Sequence, residues 1–235
     1  AAEAVNVEYE ELPCVVDASK AVKPGAPLVH NDVPNNICFD WALGNPIEEV
    51  NAAMSNAAHV TTLDFINQRL VPNAIEPRSY NSSYDEANDK YTLYTSSQNP
   101  HLIRLLMCAF VLGLPEHKVR VVSPDVGGGF GSKIFHYTEE ALLTWATKKI
   151  RRPIKWTAER SESFLLDAHG RDHITKAEMG FDNEGKIVAL RIKTFANLGA
   201  YLSTFGSCVP TYLHGTLVQG LYTTPKINID VTAVF

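Results

Sequence analysis

An α+β fold with mixed and antiparallel sheets and packed helices is predicted by three features of this chain. β-rich runs follow one another with short interruptions at residues 60–70, 78–84 and 90–96, and again at 153–159, 172–181 and 186–196. The last two runs are joined by Asp182-Asn183-Glu184-Gly185, which has the composition of a hairpin turn. Helical patterns at 100–112 and 138–150 stand between these groups, so neither an all-β nor a regularly alternating βα chain fits.

In chain order, residues 1–16 alternate enough to predict a strand or two. Residues 17–45 are rich in Pro, Gly, Asn and Asp and read as a long ordered connection or a linker. A brief helix is expected over 46–53, with Pro46 in its first turn. After the strand at 90–96, Asn99 is placed as the N-cap of helix 100–112, and Gly113-Leu114-Pro115 as its stop. That helix carries Leu102, Ile103, Leu105, Leu106, Ala109, Phe110 and Val111 nearly all round, which predicts burial. Helix 138–150 has Glu139 and Glu140 in its first turn and Lys148 and Lys149 in its last, signs that suit the helix dipole. The sequence opens on strand-like Val5–Tyr9, ends on apolar residues 229–235 and lacks an initiator methionine, and is read as an internal segment of a longer polypeptide or half of a split subunit.

With 235 residues and 45% hydrophobic content, the chain is long enough for one or two cores. Its formal charge of −5 and lack of a basic patch argue against nucleic acid. No apolar run approaches the ~20 residues of a membrane span, and no signal-peptide layout is present. Cys14, Cys38, Cys108 and Cys208 lie too far apart for an iron–sulfur or zinc motif, which suits a reduced, cytoplasmic protein.

The most informative stretch is Val126-Gly127-Gly128-Gly129-Phe130-Gly131-Ser132-Lys133, set between a β-like run at 118–122 and the helix near Thr138. Its consecutive glycines can present bare N–H groups to an anionic or polar ligand. It is not a nucleotide phosphate loop. Ser132 separates Gly131 from Lys133, which breaks the Walker spacing, and also stands where the third Rossmann glycine belongs. The glycines alone are equally compatible with a tight structural turn.

A second strand-to-helix junction lies upstream: Tyr94-Thr95-Ser96-Ser97-Gln98-Asn99-Pro100-His101-Leu102-Ile103-Arg104. With Asn67-Gln68-Arg69, Glu76-Pro77-Arg78, Gly113-Leu114-Pro115, Arg152-Pro153-Ile154-Lys155-Trp156, Glu159-Arg160-Ser161-Glu162 and Asn197-Leu198-Gly199-Ala200-Tyr201, the two junctions resemble the molybdenum hydroxylase family. That family includes xanthine dehydrogenase, aldehyde oxidoreductase and aerobic carbon monoxide dehydrogenase, and the likeness is to its molybdopterin-binding large subunit. It runs through nearly all of the chain and is strongest to the carbon monoxide dehydrogenase branch in the glycine loop and the 152–162 segment.

The resemblance implies that residues 1–30 are the tail of an α/β-hammerhead-like domain, 31–58 a connecting segment and 59–235 the first part of the molybdopterin-binding domain. It implies that Gln98 hydrogen-bonds an oxygen ligand of molybdenum, a task that suits a neutral donor. It also implies that Gly128, Gly129, Phe130 and Gly131 pass close to the dithiolene end of the pterin. The implied cofactor is molybdenum–molybdopterin cytosine dinucleotide, with copper in some relatives. The implied partners are a medium subunit with FAD and a small subunit with 2Fe–2S clusters, in a dimer of heterotrimers, and the implied reaction is oxidation of CO or a small aldehyde. No catalytic residue and no metal ligand is assigned here, because the family's glutamate base lies beyond this segment. Two alternatives stay open: a cofactor- or anion-binding module without redox function, and an inactive paralogue.

Ile134 departs from the purine-oxidising relatives, which have a glutamate there; without it a purine loses hydrogen bonds worth several kcal/mol. Pro210-Thr211-Tyr212-Leu213-His214 likewise lacks their arginine. His169 and His173 are four apart but lack a third ligand, so zinc is disfavoured. Glu76-Pro77-Arg78 and Glu159-Arg160-Ser161-Glu162 read as structural ion-pair corners, and His136 and His214 have no evident partner.

Overall fold

A computed structural model describes residues 4–235, which form two compact units. The first comprises the chain up to Gln68 together with Asp172–Leu202 and Gly206–Phe235; the second comprises Arg69–Arg171 and Ser203–Phe205. Helices and strands mix within each, around mixed sheets, in agreement with the expected α+β class.

The first unit contains helix α1 (Ala18–Ala21), strand β1 (Ile37–Gly44), helix α2 (Ile47–Ser55) and strands β2 (His59–Asn67), β7 (His173–Phe181), β8 (Ile187–Asn197) and β9 (Ile227–Val234). Its five-stranded sheet runs β1-β9-β8-β7-β2, antiparallel except for the β8–β9 pair. Leu190, Ile192, Ala196, Ile229 and Val231 form the main core, and Val50 and Met54 of α2 pack on Ala189. Burying each such large side chain stabilises by ~1.5–3 kcal/mol.

Two expectations change in this unit. Residues 5–17 form no strand, and Val5, Val7, Tyr9, Leu12 and Val16 are exposed. Alternation specifies a strand only where an edge accepts its hydrogen bonds, and no described strand pairs with this segment. The stretch read as a connection is ordered and supplies β1. Asn36, buried and left-handed at φ 56°, donates to the Ala21 and Pro27 carbonyls at 3.0 Å each and accepts from Val29 N–H at 2.8 Å.

In the second unit, β3 (Ser79–Asp85), β4 (Lys90–Thr95), β5 (Val119–Val122) and β6 (Ile154–Thr157) make a four-stranded sheet in the order β5-β4-β3-β6. Helix α3 (Pro100–Leu106) continues into a π-turn at Met107–Leu112 and ends at left-handed Gly113. Asn99 holds the N-cap position, but its side chain makes no capping bond. Ile103, Met107 and Cys108 join Tyr80, Tyr91, Leu93 and Val119 in the core, whereas Leu105 and Phe110 are exposed. All-round burial is thus not met, because this helix packs by one side only. Helix α4 (Thr138–Ile150) lies where predicted, followed by the shorter α5 (Arg160–Leu166).

One topological feature places the chemistry. β4 and β5 are parallel neighbours joined through α3, while β3 flanks β4 antiparallel. Segments leaving the carboxyl ends of adjacent parallel strands are natural partners for a ligand. Here those segments are residues 96–99 after β4 and 123–133 after β5.

Candidate cofactor-binding site

Gln98 and the glycine loop meet at that end of the sheet. Gln98 N–H donates to the Lys133 carbonyl at 2.9 Å, and its side-chain Oε1 accepts from Gly131 N–H at 3.1 Å and Lys133 N–H at 3.3 Å. Two backbone donors fix which end of the carboxamide is oxygen. The Nε2 group is thereby turned away from these amides, and it has no acceptor among the described residues. Gly129 is the seat of this side chain: a Cβ there would overlap Oε1 and stand 2.6 Å from Cδ. Only glycine permits so close an approach.

The loop is closed by Ser132, whose N–H and Oγ–H both donate to the Gly129 carbonyl at 3.0 and 2.9 Å. Phe130 is left-handed at φ 51° and 76% exposed. That conformation costs a bulky residue ~1–2 kcal/mol and persists only where its surroundings dictate it. The N–H groups of Gly128, Gly129 and Phe130 have no acceptor among the described residues. Successive uncommitted amides, one exposed aromatic and an outward carboxamide nitrogen can together receive a polar, oxygen-rich group.

Beside this loop lies a buried ionic network. Arg78 donates from Nε to Asp167 at 2.6 Å and from Nη1 to Glu139 at 3.1 Å and the Tyr80 hydroxyl at 2.9 Å, and its guanidinium lies 3.7 Å from the Tyr137 ring centroid. Burial disfavours the Arg78 cation, but these partners outweigh it and raise its pKa. Burial also lifts the Tyr137 phenol to about 12. Glu140 is buried as well, accepting from Thr95 Oγ1 at 2.6 Å and pairing with His136 Nδ1 at 2.9 Å. His136 therefore has a partner that its spacing of four from Glu140 could have revealed.

Other residues fall elsewhere. Ile134, half-buried, ends the turn Ser132–Ile134 that closes the loop. Residues 210–214 belong to the first unit. His169 hydrogen-bonds the Phe164 carbonyl at 3.3 Å, His173 lies in β7 with its pKa lowered by burial, and the described residues contain no metal-ligating cluster. Neither expected ion-pair corner pairs internally. Glu159 and Glu162 form a capping box for α5, and Arg160 binds Asn73 and the Ala74 and Ile75 carbonyls. Glu76 pairs instead with Lys133 at 2.8 Å, a partnership that sequence reading missed because the two are 57 positions apart.

Residues 29–235 match the family described as molybdopterin cofactor-binding domain. The chain belongs to that family. It is 33% identical to the carbon monoxide dehydrogenase large chain of Hydrogenophaga pseudoflava, covering 100% of this chain and 30% of that one. It is 31% identical to the nicotine 6-hydroxylase large subunit of Paenarthrobacter nicotinovorans, covering 86% and 24%. Among solved structures, carbon monoxide dehydrogenase from Oligotropha carboxidovorans superposes with a TM-score of 0.85 at 30% identity, over 99% of this chain and 30% of that one. Aldehyde oxidoreductase from Desulfovibrio gigas, at 20% identity and a TM-score of 0.81, shares the fold. The chain thus spans about a third or less of these relatives. In molybdopterin cofactor-binding domains the bound group is rich in oxygen and nitrogen acceptors, and the free donors of Gly128, Gly129, Phe130 and Gln98 fit it.

Proposed function

We propose that this chain forms part of the catalytic subunit of a molybdenum-dependent oxidoreductase acting on carbon monoxide or a small aldehyde. In this reading Gln98, Gly128, Gly129, Phe130 and Gly131 line the molybdopterin, and the rest of the subunit supplies the base. The observation that carries it is the Gln98 carboxamide, locked by two loop amides with its nitrogen left free. When bound, the molybdopterin group supplies a two-electron redox centre.

The chain's own residues hold and shape that centre. Gln98 Nε2 donates to an oxygen of the cofactor, stabilising partial negative charge without adding a ligand; losing such a preorganised donor typically costs ~100- to 1,000-fold in rate. The uncommitted N–H groups orient the pterin, and Phe130 excludes water from the space above it. Ile134 offers no acceptor to a purine ring, which supports a small substrate over xanthine. The cytosine dinucleotide form of the cofactor, a copper partner, cytoplasmic location, and companion subunits with FAD and 2Fe–2S clusters in a dimer of heterotrimers complete the proposal. So does the division into residues 1–30, 31–58 and 59–235.

The test uses the full-length protein. Gln98→Ala is expected to lower CO- or aldehyde-dependent dye reduction ~100-fold or more, as for a lost charge-stabilising donor. Wild type should contain molybdenum and yield pterin fluorescence after oxidation. A wild type without either points to the redox-inactive binding module and sinks the proposal, as does an unaltered rate in the variant.

A further inference from the structure

The glycine loop is fastened at both ends by one ion pair that plays no part in the cofactor contacts described above. Lys133, at the loop's C-terminal end, is 2% exposed, yet its Nζ reaches Glu76 twice, at 2.8 Å to the backbone carbonyl and 2.8 Å to Oε2. The same Oε2 accepts the N–H of Gly127, at the loop's start, at 2.7 Å. The backbones are also in contact: Glu76 N–H reaches the Gly127 carbonyl at 3.4 Å, and a Cβ on Gly127 would stand 2.6 Å from Glu76 Cβ.

A single carboxylate oxygen therefore joins the first and last residues of the turn. Between them lie the donors that have no acceptor among the described residues. A lysine so deeply buried is costly unless compensated, so the pair forms as a unit with the loop closed. Opening the loop would either strand the ammonium or tear Gly127 from its acceptor.

We propose that Lys133 and Glu76 are positioning residues that buckle the 127–133 loop shut, holding the Gly128, Gly129 and Phe130 amides and the Gln98 seat in one arrangement ready for the cofactor. This inference rests on the cofactor reading above, since it assigns the pair a role in making that site. It makes no claim on the reacting atoms.

The test is amide hydrogen exchange of the peptide spanning 127–133 in full-length protein stripped of cofactor, paired with molybdenum and pterin content in protein purified intact. Lys133→Met is expected to speed exchange in this peptide at least tenfold, leave β3 and β4 protected, and lower cofactor content several-fold. Because one oxygen accepts both bonds, Glu76→Gln can keep the geometry but loses the charge that compensates the buried ammonium; its protection should fall between wild type and Glu76→Ala, which should match Lys133→Met. A general packing defect would loosen β3 and β4 equally and give no such partial rescue, which would overturn the inference. So would unchanged loop exchange in Lys133→Met and Glu76→Ala. If Gln98→Ala still impairs turnover in that case, the cofactor reading survives without the buckle. If loop exchange rises but cofactor content does not move in any variant, the cofactor reading fails and the inference with it.

Discussion

Two glycine-bearing turns in this chain are ordered in opposite ways. At 182–186 every bond is local: Asp182 N–H donates to the Lys186 carbonyl, Gly185 N–H donates to the Asp182 carbonyl, and Asp182 Oδ1 accepts from Glu184 and Lys186 at 3.0 and 2.8 Å. The 127–133 loop closes on itself through Ser132, and takes further order from Gln98, 33 and 35 residues away, and from Glu76, 51 and 57 residues away, while the Ser97 and Tyr137 hydroxyls donate to the Lys133 and Ser132 carbonyls at 3.2 and 2.6 Å. The first turn spends its donors on itself. The second leaves the N–H groups of Gly128, Gly129 and Phe130 without an acceptor among the described residues and is held in shape by distant side chains. Self-sufficiency marks a connector, and borrowed order with spare donors marks a site.

The largest effect should come from removing the frame the loop borrows from. Arg78→Met strands Asp167 and Glu139 beside an apolar side chain, and breaking such a buried pair typically costs ~3–5 kcal/mol. Chemical denaturation should show that loss, and hydrogen exchange should place it in β3, β4 and the 127–133 loop. The bonds of the 182–186 turn should hold, because none involves a residue outside it. Equal loosening of both turns would break the contrast.

The glycines themselves give a sharper and smaller test. Gly129→Ala displaces a flexible side chain rather than backbone, so the fold should survive while Gln98 loses its seat. Each amide left without its acceptor costs ~1–3 kcal/mol, so cofactor content should fall roughly ten- to a hundredfold. Gly185→Ala meets nothing within 4 Å and is penalised only by φ +79°, which costs ~1 kcal/mol of stability. Molybdenum analysis and melting curves should therefore report inverse patterns for the two variants.

What was legible in the sequence follows the same division. Helix α4, the Asp182–Gly185 turn and the strands on either side of it are encoded by neighbours, and their chemistry appears in any short window. The meeting of Gln98 with the loop was expected from resemblance, and its physical cause is the parallel pairing of β4 with β5, which no local pattern announces. Glu76–Lys133 was invisible for that reason, since the pair is set by tertiary closure across 57 residues. Val5, Val7 and Tyr9 mislead in the opposite sense: their alternation is present, but a strand also needs a neighbour, and none of the described strands provides one.

The smallest expected effect is one of pH, and it too separates the turns. Partial burial works against the Glu76 carboxylate, but Lys133 and the Gly127 N–H outweigh it and hold the pKa below the ordinary value of 4.5. A carboxyl depressed by folding contributes its stabilisation above the unfolded pKa and loses it as pH falls through the folded one. Loop protection at 127–133 should therefore be level from neutrality down to about pH 5 and decline below the usual glutamate range near ~4.3. In Glu76→Gln that acid-dependent decline should vanish, leaving a flat profile. A wild-type loop whose exchange protection ignores acid would mean that the charge on Glu76 contributes nothing to its closure.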